Sequence, residues 1–158
     1  MFRVFVPLIT ALAIAAPTRA GEDKFVKLAL ADGRVLSVAD DSDDAGAQVV
    51  AVKDGDSKAQ QWQVVADGQS LKLVNRKTAK VLDVFEDSKD EDVKIIIWDE
   101  KTEDNANQRW QWDGAGKARR LKSKSSGLVL DVDGQGGVIQ KKADPKAKSQ
   151  LWTVKEVK

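Results

Sequence analysis

Carboxylates, amides and indoles are the groups with which this chain can do chemistry. Its 158 residues hold 25 Asp and Glu and five Trp, but no His and no Cys. Without His or Cys there is no Ser-His-Asp or Cys-His nucleophile, and no metal site built from nitrogen and sulfur ligands. Two acidic runs, Asp40-Asp41-Ser42-Asp43-Asp44 and Asp87 with Asp90-Glu91-Asp92, offer oxygen ligands, yet neither has the spacing of an EF-hand loop. They read as solvated turns, and neither metal nor cofactor is expected. Composition leaves open a carboxylate pair for glycoside hydrolysis, but that reaction usually takes a larger cleft than a domain of this size provides, so the chain reads as non-catalytic. The most telling spacing belongs to two recurring phrases. Gln60-Gln61-Trp62, Gln108-Arg109-Trp110 and Gln150-Leu151-Trp152 follow, in turn, Val35-Leu36-Ser37-Val38, Val81-Leu82-Asp83-Val84 and Val129-Leu130-Asp131-Val132.

Two phrases in the same order, three times over, mark an internal repeat of 48 and then 42 residues, the difference lying in loop length. Between the phrases run short segments of strict apolar and polar alternation bounded by Gly, Asp, Asn and Ser, the pattern of half-buried strands. Twelve are predicted: 24–30, 34–39, 47–53 and 61–65; 70–74, 81–85, 93–98 and 109–113; 119–123, 128–132, 137–141 and 151–157. Asp32-Gly33, Asp67-Gly68, Asp113-Gly114, Ser126-Gly127 and Asp133-Gly134 supply turns between them. No segment has helical periodicity. The fold class is therefore all-β. Three four-stranded units close most economically around a threefold axis, which removes exposed sheet edges, and this implies a β-trefoil with pseudo-threefold symmetry. Its repeats span approximately 24–66, 67–114 and 115–158, within one domain from 21 to 158. The Trp of each closing phrase is expected in the core, and Trp112, two residues beyond Trp110 and on the same strand face, is expected to fill core as well.

A Leu-Asp-Val phrase followed by a Gln-x-Trp phrase, three times in a domain of this length, resembles the ricin B-type β-trefoil lectins over the whole of 21–158. The resemblance implies carbohydrate binding through a carboxylate that accepts bonds from adjacent hydroxyls, an aromatic ring that covers the C–H face of the sugar, and an amide. It places these in the second repeat at Asp83, at Trp98 fifteen residues later, and at Asn107, with Gln108 steadying Asp83. Trp98 shares a strand face with Ile96 rather than with Ile95 and Ile97, so it is set apart from the core. The third repeat keeps Asp131, Gln140 and Gln150 as a possible weaker site, with Lys142 where the aromatic should stand and Ser149 for the Asn. The first repeat has Ser37, Val52 and Ala59 at the three positions and is expected to complete the fold only. Family members often carry a disulfide beside each site; here Val81 and Glu100 stand at those positions, and a loose loop from Phe85 to Val93 is expected in consequence.

The N-terminus reads as an export signal. Arg3 precedes an apolar run, Val4 to Ala16, and Thr18-Arg19-Ala20 fits cleavage before Gly21, while a run of about 13 residues falls short of the roughly 20 that span a bilayer. Residues 1–20 are thus expected to be removed, leaving a secreted or periplasmic protein with no membrane span. The 26 Lys and Arg against 25 Asp and Glu shift to a net charge of about −1 once Arg3 and Arg19 are lost. Such a balance argues against a nucleic-acid partner. The cluster Lys117-Ala118-Arg119-Arg120 with Lys122 and Lys124 reads as a solvated strand face. The expected partner is carbohydrate, with galactose-type glycans indicated by the resemblance alone and the oligomeric state left open. A trefoil that has lost sugar binding and serves as a protein-interaction or inhibitor module is the alternative reading.

Overall fold

The computed structural model describes residues 24–158, so the expected export signal lies outside the described residues. Twelve strands form: β1 (Val26–Ala29), β2 (Arg34–Val38), β3 (Val49–Lys53), β4 (Trp62–Asp67), β5 (Ser70–Asn75), β6 (Val81–Val84), β7 (Ile95–Trp98), β8 (Trp110–Asp113), β9 (Ala118–Ser123), β10 (Val129–Val132), β11 (Val138–Lys141) and β12 (Trp152–Glu156). Each corresponds to one alternating run, with boundaries shifted by no more than two residues. Single 3-10 turns at Ala39–Asp41, Lys58–Gln60, Phe85–Asp87, Ala106–Gln108 and Lys148–Gln150 were not legible, because three residues are too few to show a period. No helix among the described residues is long and apolar enough to cross a membrane.

Pairing closes a ring. β1 pairs with β4, β4 with β5, β5 with β8, β8 with β9, β9 with β12, and β12 with β1, all antiparallel. The hairpins β2–β3, β6–β7 and β10–β11 hang from β1, β5 and β9. They meet one another through single bridges, Gln48 to Ile96, Val50 to Gly137 and Lys94 to Ile139. A six-stranded barrel with three hairpins at one end is a β-trefoil. Its core repeats accordingly: Trp62, Trp110 and Trp152 are fully buried, with Leu36, Leu82 and Leu130 and with Leu28, Leu73 and Leu121.

The recurring Gln explains its own recurrence. In each repeat its buried side chain ties the turn that follows the third strand. Gln60 donates to Lys53 O (3.0 Å) and accepts from Gly55 N (2.8 Å); Gln108 donates to Asp99 O (3.0 Å) and accepts from Lys101 N (2.9 Å); Gln150 donates to Lys142 O (3.0 Å) and accepts from Asp144 N (2.9 Å). The Trp that follows fills the core, and two of the three indoles also hold the second strand: Trp62 Nε1 donates to Leu36 O at 3.0 Å and Trp110 Nε1 to Leu82 O at 3.2 Å. The third, Trp152 Nε1, is buried without such a partner.

Trp112 departs from expectation. It is half-buried, packed against the core rather than within it, and carries the Arg119 guanidinium 4.6 Å from its ring. Val64 and Val154, at the same position in the other repeats, are exposed beside it. Two residues past each core Trp a strand has advanced about 7 Å along the barrel, which brings this layer to the barrel mouth.

The ties predict that Gln60→Leu will destabilise the protein although the first repeat has no carboxylate to orient. Two part-buried bonds are lost and Gly55 N and Lys53 O give up their side-chain partner, a cost of about 1–2 kcal/mol. Denaturant unfolding at an unchanged slope checks it; an unaltered midpoint would remove the structural role assigned to this Gln.

Candidate functional site

Asp83 sits in the middle of β6, opposite Ile96 on β7, at the floor of a cleft of about 380 Å3 that Phe85, Glu86, Asp87, Trp98, Lys101 and Asn107 also line. Its side chain is aimed from behind. Gln108 Nε2 donates to Asp83 Oδ2 at 2.8 Å, and Asn107 Nδ2 donates to Oδ1 at 2.9 Å. Both amides come from the 3-10 turn Ala106–Gln108, whose last two residues are buried, so a local turn before the core Trp carries both orienting groups. Each carboxylate oxygen keeps a lone pair for the cleft. Asp83, Trp98, Asn107 and Gln108 are thus brought together.

Asn107 is more committed than its place in the sequence implies. Its second amide hydrogen goes to Val84 O at 3.1 Å, and its Oδ1 accepts from Lys101 Nζ at 2.8 Å. With both hydrogens spent, Asn107 offers the cleft only an acceptor. The donor beside Asp83 is Lys101, whose ammonium has three hydrogens and gives one of them to Asn107. Sequence reasoning missed Lys101. Its signal was its backbone N–H, which the Gln-x-Trp Gln accepts; the corresponding donors are Gly55 and Asp144, at different distances from their Gln, and the unequal spacing hid the correspondence.

Trp98 closes β7 and is 43% exposed, whereas Ile95 and Ile97 are fully buried. Alternation along the strand divides these side chains between barrel and cleft. The indole rests beside Gly46 of the first repeat: a Cβ on Gly46 would lie 3.4 Å from Trp98 Cζ3, and the backbone there has φ +90°. Gly46 N donates to Ile97 O at 2.8 Å, and Ile97 N to Ala47 O at 3.0 Å. Phe85 forms the facing wall, with Lys94 Nζ 4.4 Å from its ring.

Burial pushes the Asp83 carboxyl above the usual aspartate range, against the bond from Gln108 and the nearby Lys101 charge, both of which favour the ionised form.

The third repeat repeats only part of this. Gln150 Nε2 donates to Asp131 Oδ2 at 3.0 Å, but Oδ1 accepts from the Val132 backbone N–H at 2.7 Å rather than from a side chain. Gln140 does not join them. It is fully buried, and its amide donates to Ser88 O (3.0 Å) and Asp90 O (2.8 Å) of the second repeat. The register shows why the sequence alignment slipped. Val81 pairs with Trp98 and Val129 with Lys141, so Lys141, not Lys142, stands in the place of Trp98, and Gln140 stands in that of Ile97. A shift of one residue moves a side chain to the other face. The first repeat has Ser37, opposite Val50 on β3, whose hydroxyl donates to Val38 O; it has no carboxylate there, and Val52, opposite Val35, stands in the place of Trp98. Among the described residues no group of three or more carboxylates is placed to hold a metal ion.

Trp98 therefore depends on the absence of a side chain at position 46. Gly46→Ala is expected to cost about 1–2 kcal/mol for a left-handed residue and to press on the indole. Thermal unfolding together with acrylamide quenching of tryptophan emission will check this, and unchanged quenching would separate the two residues.

The family model for the ricin-type beta-trefoil lectin domain-like family matches residues 17–98 and 106–158. No curated protein gives a significant match. Among solved structures, the designed threefold-symmetric protein ThreeFoil is similar at 26% identity and TM-score 0.78, over 84% of this chain and 99% of that one. An exo-beta-1,3-galactanase from Clostridium thermocellum matches at 31% identity and TM-score 0.78 over 86% of this chain, which spans only 31% of that enzyme. A Polyporus squamosus lectin, solved with a Neu5Aca2-6Galb1-4GlcNAc epitope, shares the fold at 18% identity and TM-score 0.72, covering 84% of this chain and 48% of its own. The match extends through all three repeats and both recurring phrases, and the chain belongs to the ricin-type beta-trefoil lectin domain-like family.

Proposed function

We propose that this chain is a non-catalytic carbohydrate-binding domain of an exported protein and that it holds sugar chiefly in the second repeat. The observation that carries this reading is the Asp83 carboxylate, fixed by Gln108 and Asn107 at the floor of a cleft whose rim is the exposed Trp98. Two acceptor oxygens and the Lys101 ammonium stand together beneath an indole face. A sugar presents that combination in reverse, with vicinal hydroxyls on one edge and apolar C–H groups on a face. In this reading Asp83 accepts two hydroxyls, Lys101 donates to a third oxygen, Asn107 contributes an acceptor, Trp98 stacks, and Gln108 orients Asp83. The 31% identity to part of a galactanase makes galactose-type glycans the first ligands to test. The third repeat, with Asp131 and Gln150 but Lys141 in place of an indole, lacks a stacking surface and binds at most weakly. Export rests on the expected signal at 1–20. A domain with one good site has no avidity to add, so a monosaccharide is held with about 4–5 kcal/mol, a dissociation constant near millimolar.

A glycan array followed by titration tests the assignment. Trp98→Ala and Asp83→Asn are each expected to weaken binding by about tenfold or more while leaving the fold intact, since Trp98 is exposed and Asn retains the volume of Asp83 at the cost of one of its two amide bonds. Binding that survives both substitutions would move the site elsewhere; no glycan signal, with a protein partner retained by both variants, would favour an interaction module.

Acid separates ligand binding from folding. Because the folded pKa of Asp83 is raised, the carboxylate that accepts hydroxyls is lost at a higher pH than in an exposed aspartate. The same raised value means that Asp83 contributes more to stability as pH falls through it, not less. Exposed carboxylates paired with cations, such as Asp54 with Lys27 and Glu100 with Lys72, have lowered values and lose their contribution only at lower pH. Titration across this range is expected to show binding falling before unfolding begins; simultaneous loss of the two would contradict the raised value.

A further inference from the structure

The cleft wall formed by Phe85, Glu86 and Asp87 belongs to a loop with an unfavourable backbone. Glu86 (φ 53°), Asp87 (φ 51°) and Asp92 (φ 64°) all lie in the left-handed region that non-glycine residues avoid. Such conformations persist only where surrounding contacts over-determine them, and the Phe85–Val93 loop has no disulfide. The same turn of the first repeat has this backbone too, at Asp40 (φ 52°) and Asp41 (φ 51°). In the second repeat, bonds within the loop, Ser88 N to Phe85 O and Asp90 N to Ser88 Oγ, are joined by others from the third repeat. Gln140 N donates to Val93 O (3.0 Å), its backbone O accepts from Asp92 N (2.9 Å), its side-chain amide donates to Ser88 O and Asp90 O, and its Oε1 accepts from Ser126 Oγ (2.8 Å). Every hydrogen-bonding group of this fully buried residue is engaged, and four of its bonds reach the loop.

The other two borders between repeats show what is particular here. Ile97 makes the corresponding backbone bonds to Gly46 and Ala47 of the first repeat, and Ala51 N donates to Gly136 O of the third. Strand register makes Gln140, Ile97 and Ala51 equivalent. Backbone pairing is therefore common to the three borders, whereas the amide side chain occurs only at the one whose loop walls the complete cleft.

We propose that Gln140 is a positioning residue for the second-repeat cleft, acting across the repeat border by clamping the loop carrying Phe85, Glu86 and Asp87. The inference rests on the carbohydrate-binding role assigned to that cleft. It replaces the sequence expectation of Gln140 as a ligand-binding residue of the third repeat, and it assigns that repeat a task in its neighbour's site.

Gln140→Leu keeps the buried volume but removes both donors. Gln60→Leu, which cuts two part-buried side-chain bonds in the first repeat against three for Gln140 and touches no part of the cleft, serves as the control for lost stability. Amide hydrogen exchange at residues 86–92 and titration with lactose are read on both variants under conditions where each is folded. Gln140→Leu is expected to speed exchange in that segment and to weaken lactose binding about tenfold. Gln60→Leu should leave both readings at the wild-type level. Exchange unchanged in Gln140→Leu, or lactose affinity equal to that of the control, overturns the proposal. If lactose binding by wild type is untouched by Asp83→Asn and Trp98→Ala, the site assignment itself fails and the proposal falls with it, an outcome that the exchange data keep distinct from a failure of the clamp.

Discussion

Three buried amide side chains, Gln60, Gln108 and Gln150, hold the turn after each third strand to the strand that enters the barrel, and the remaining architecture depends on them. A Gln in this position spends both ends of its side chain on backbone groups that a barrel of short strands would otherwise leave buried and unpaired. The following Trp then fills the space on the axis. Fold and site are joined at this residue in only one respect: where an Asp stands on the neighbouring strand, the second amide hydrogen is free to bond it. Gln108 and Gln150 do so and Gln60 has nothing to bond. The fold thus does not need the carboxylate, which is why one architecture can carry the Asp-amide pair in two repeats and omit it in the third.

The trefoil was readable because its signals are local and threefold. Alternation located all twelve strands, and the recurring Trp62, Trp110 and Trp152 located the core. Asp83, Trp98, Asn107 and Gln108 could be grouped because each lies at a fixed offset from a recurring phrase. What stayed hidden was set by relations between repeats. Lys101 lies at a spacing from Gln108 that the other repeats do not share. Gly46 supports Trp98 from 52 positions away in the chain. The pairing of Lys141, rather than Lys142, with Val129 follows from a shorter hairpin in the third repeat, and no periodicity reports a loop deletion of that kind.

The absent disulfide led to the expectation of a loose loop beside the cleft, and the structure shows instead a loop bonded to the next repeat along most of its length. Lys142 N donates to Glu91 Oε2 at 3.1 Å, Lys141 pairs with Asp92 at 3.2 Å, and Ser125 bonds Asp87. Polar contact between repeats thus ties this loop to the neighbouring unit in a chain that has no cysteine.

Closure of the ring by β1 and β12 has a kinetic meaning. The first and last strands of the domain are hydrogen-bonded along Val26–Ala29, with Lys27 opposite Lys155 and Leu28 opposite Val154. Pairing between such distant parts of a chain carries a large loop-closure entropy and slows folding. The barrel is incomplete until β12 has been synthesised and released, so no shorter growing chain can lock into the native state. A fold whose keystone is the final strand of its own domain stays open until that strand arrives.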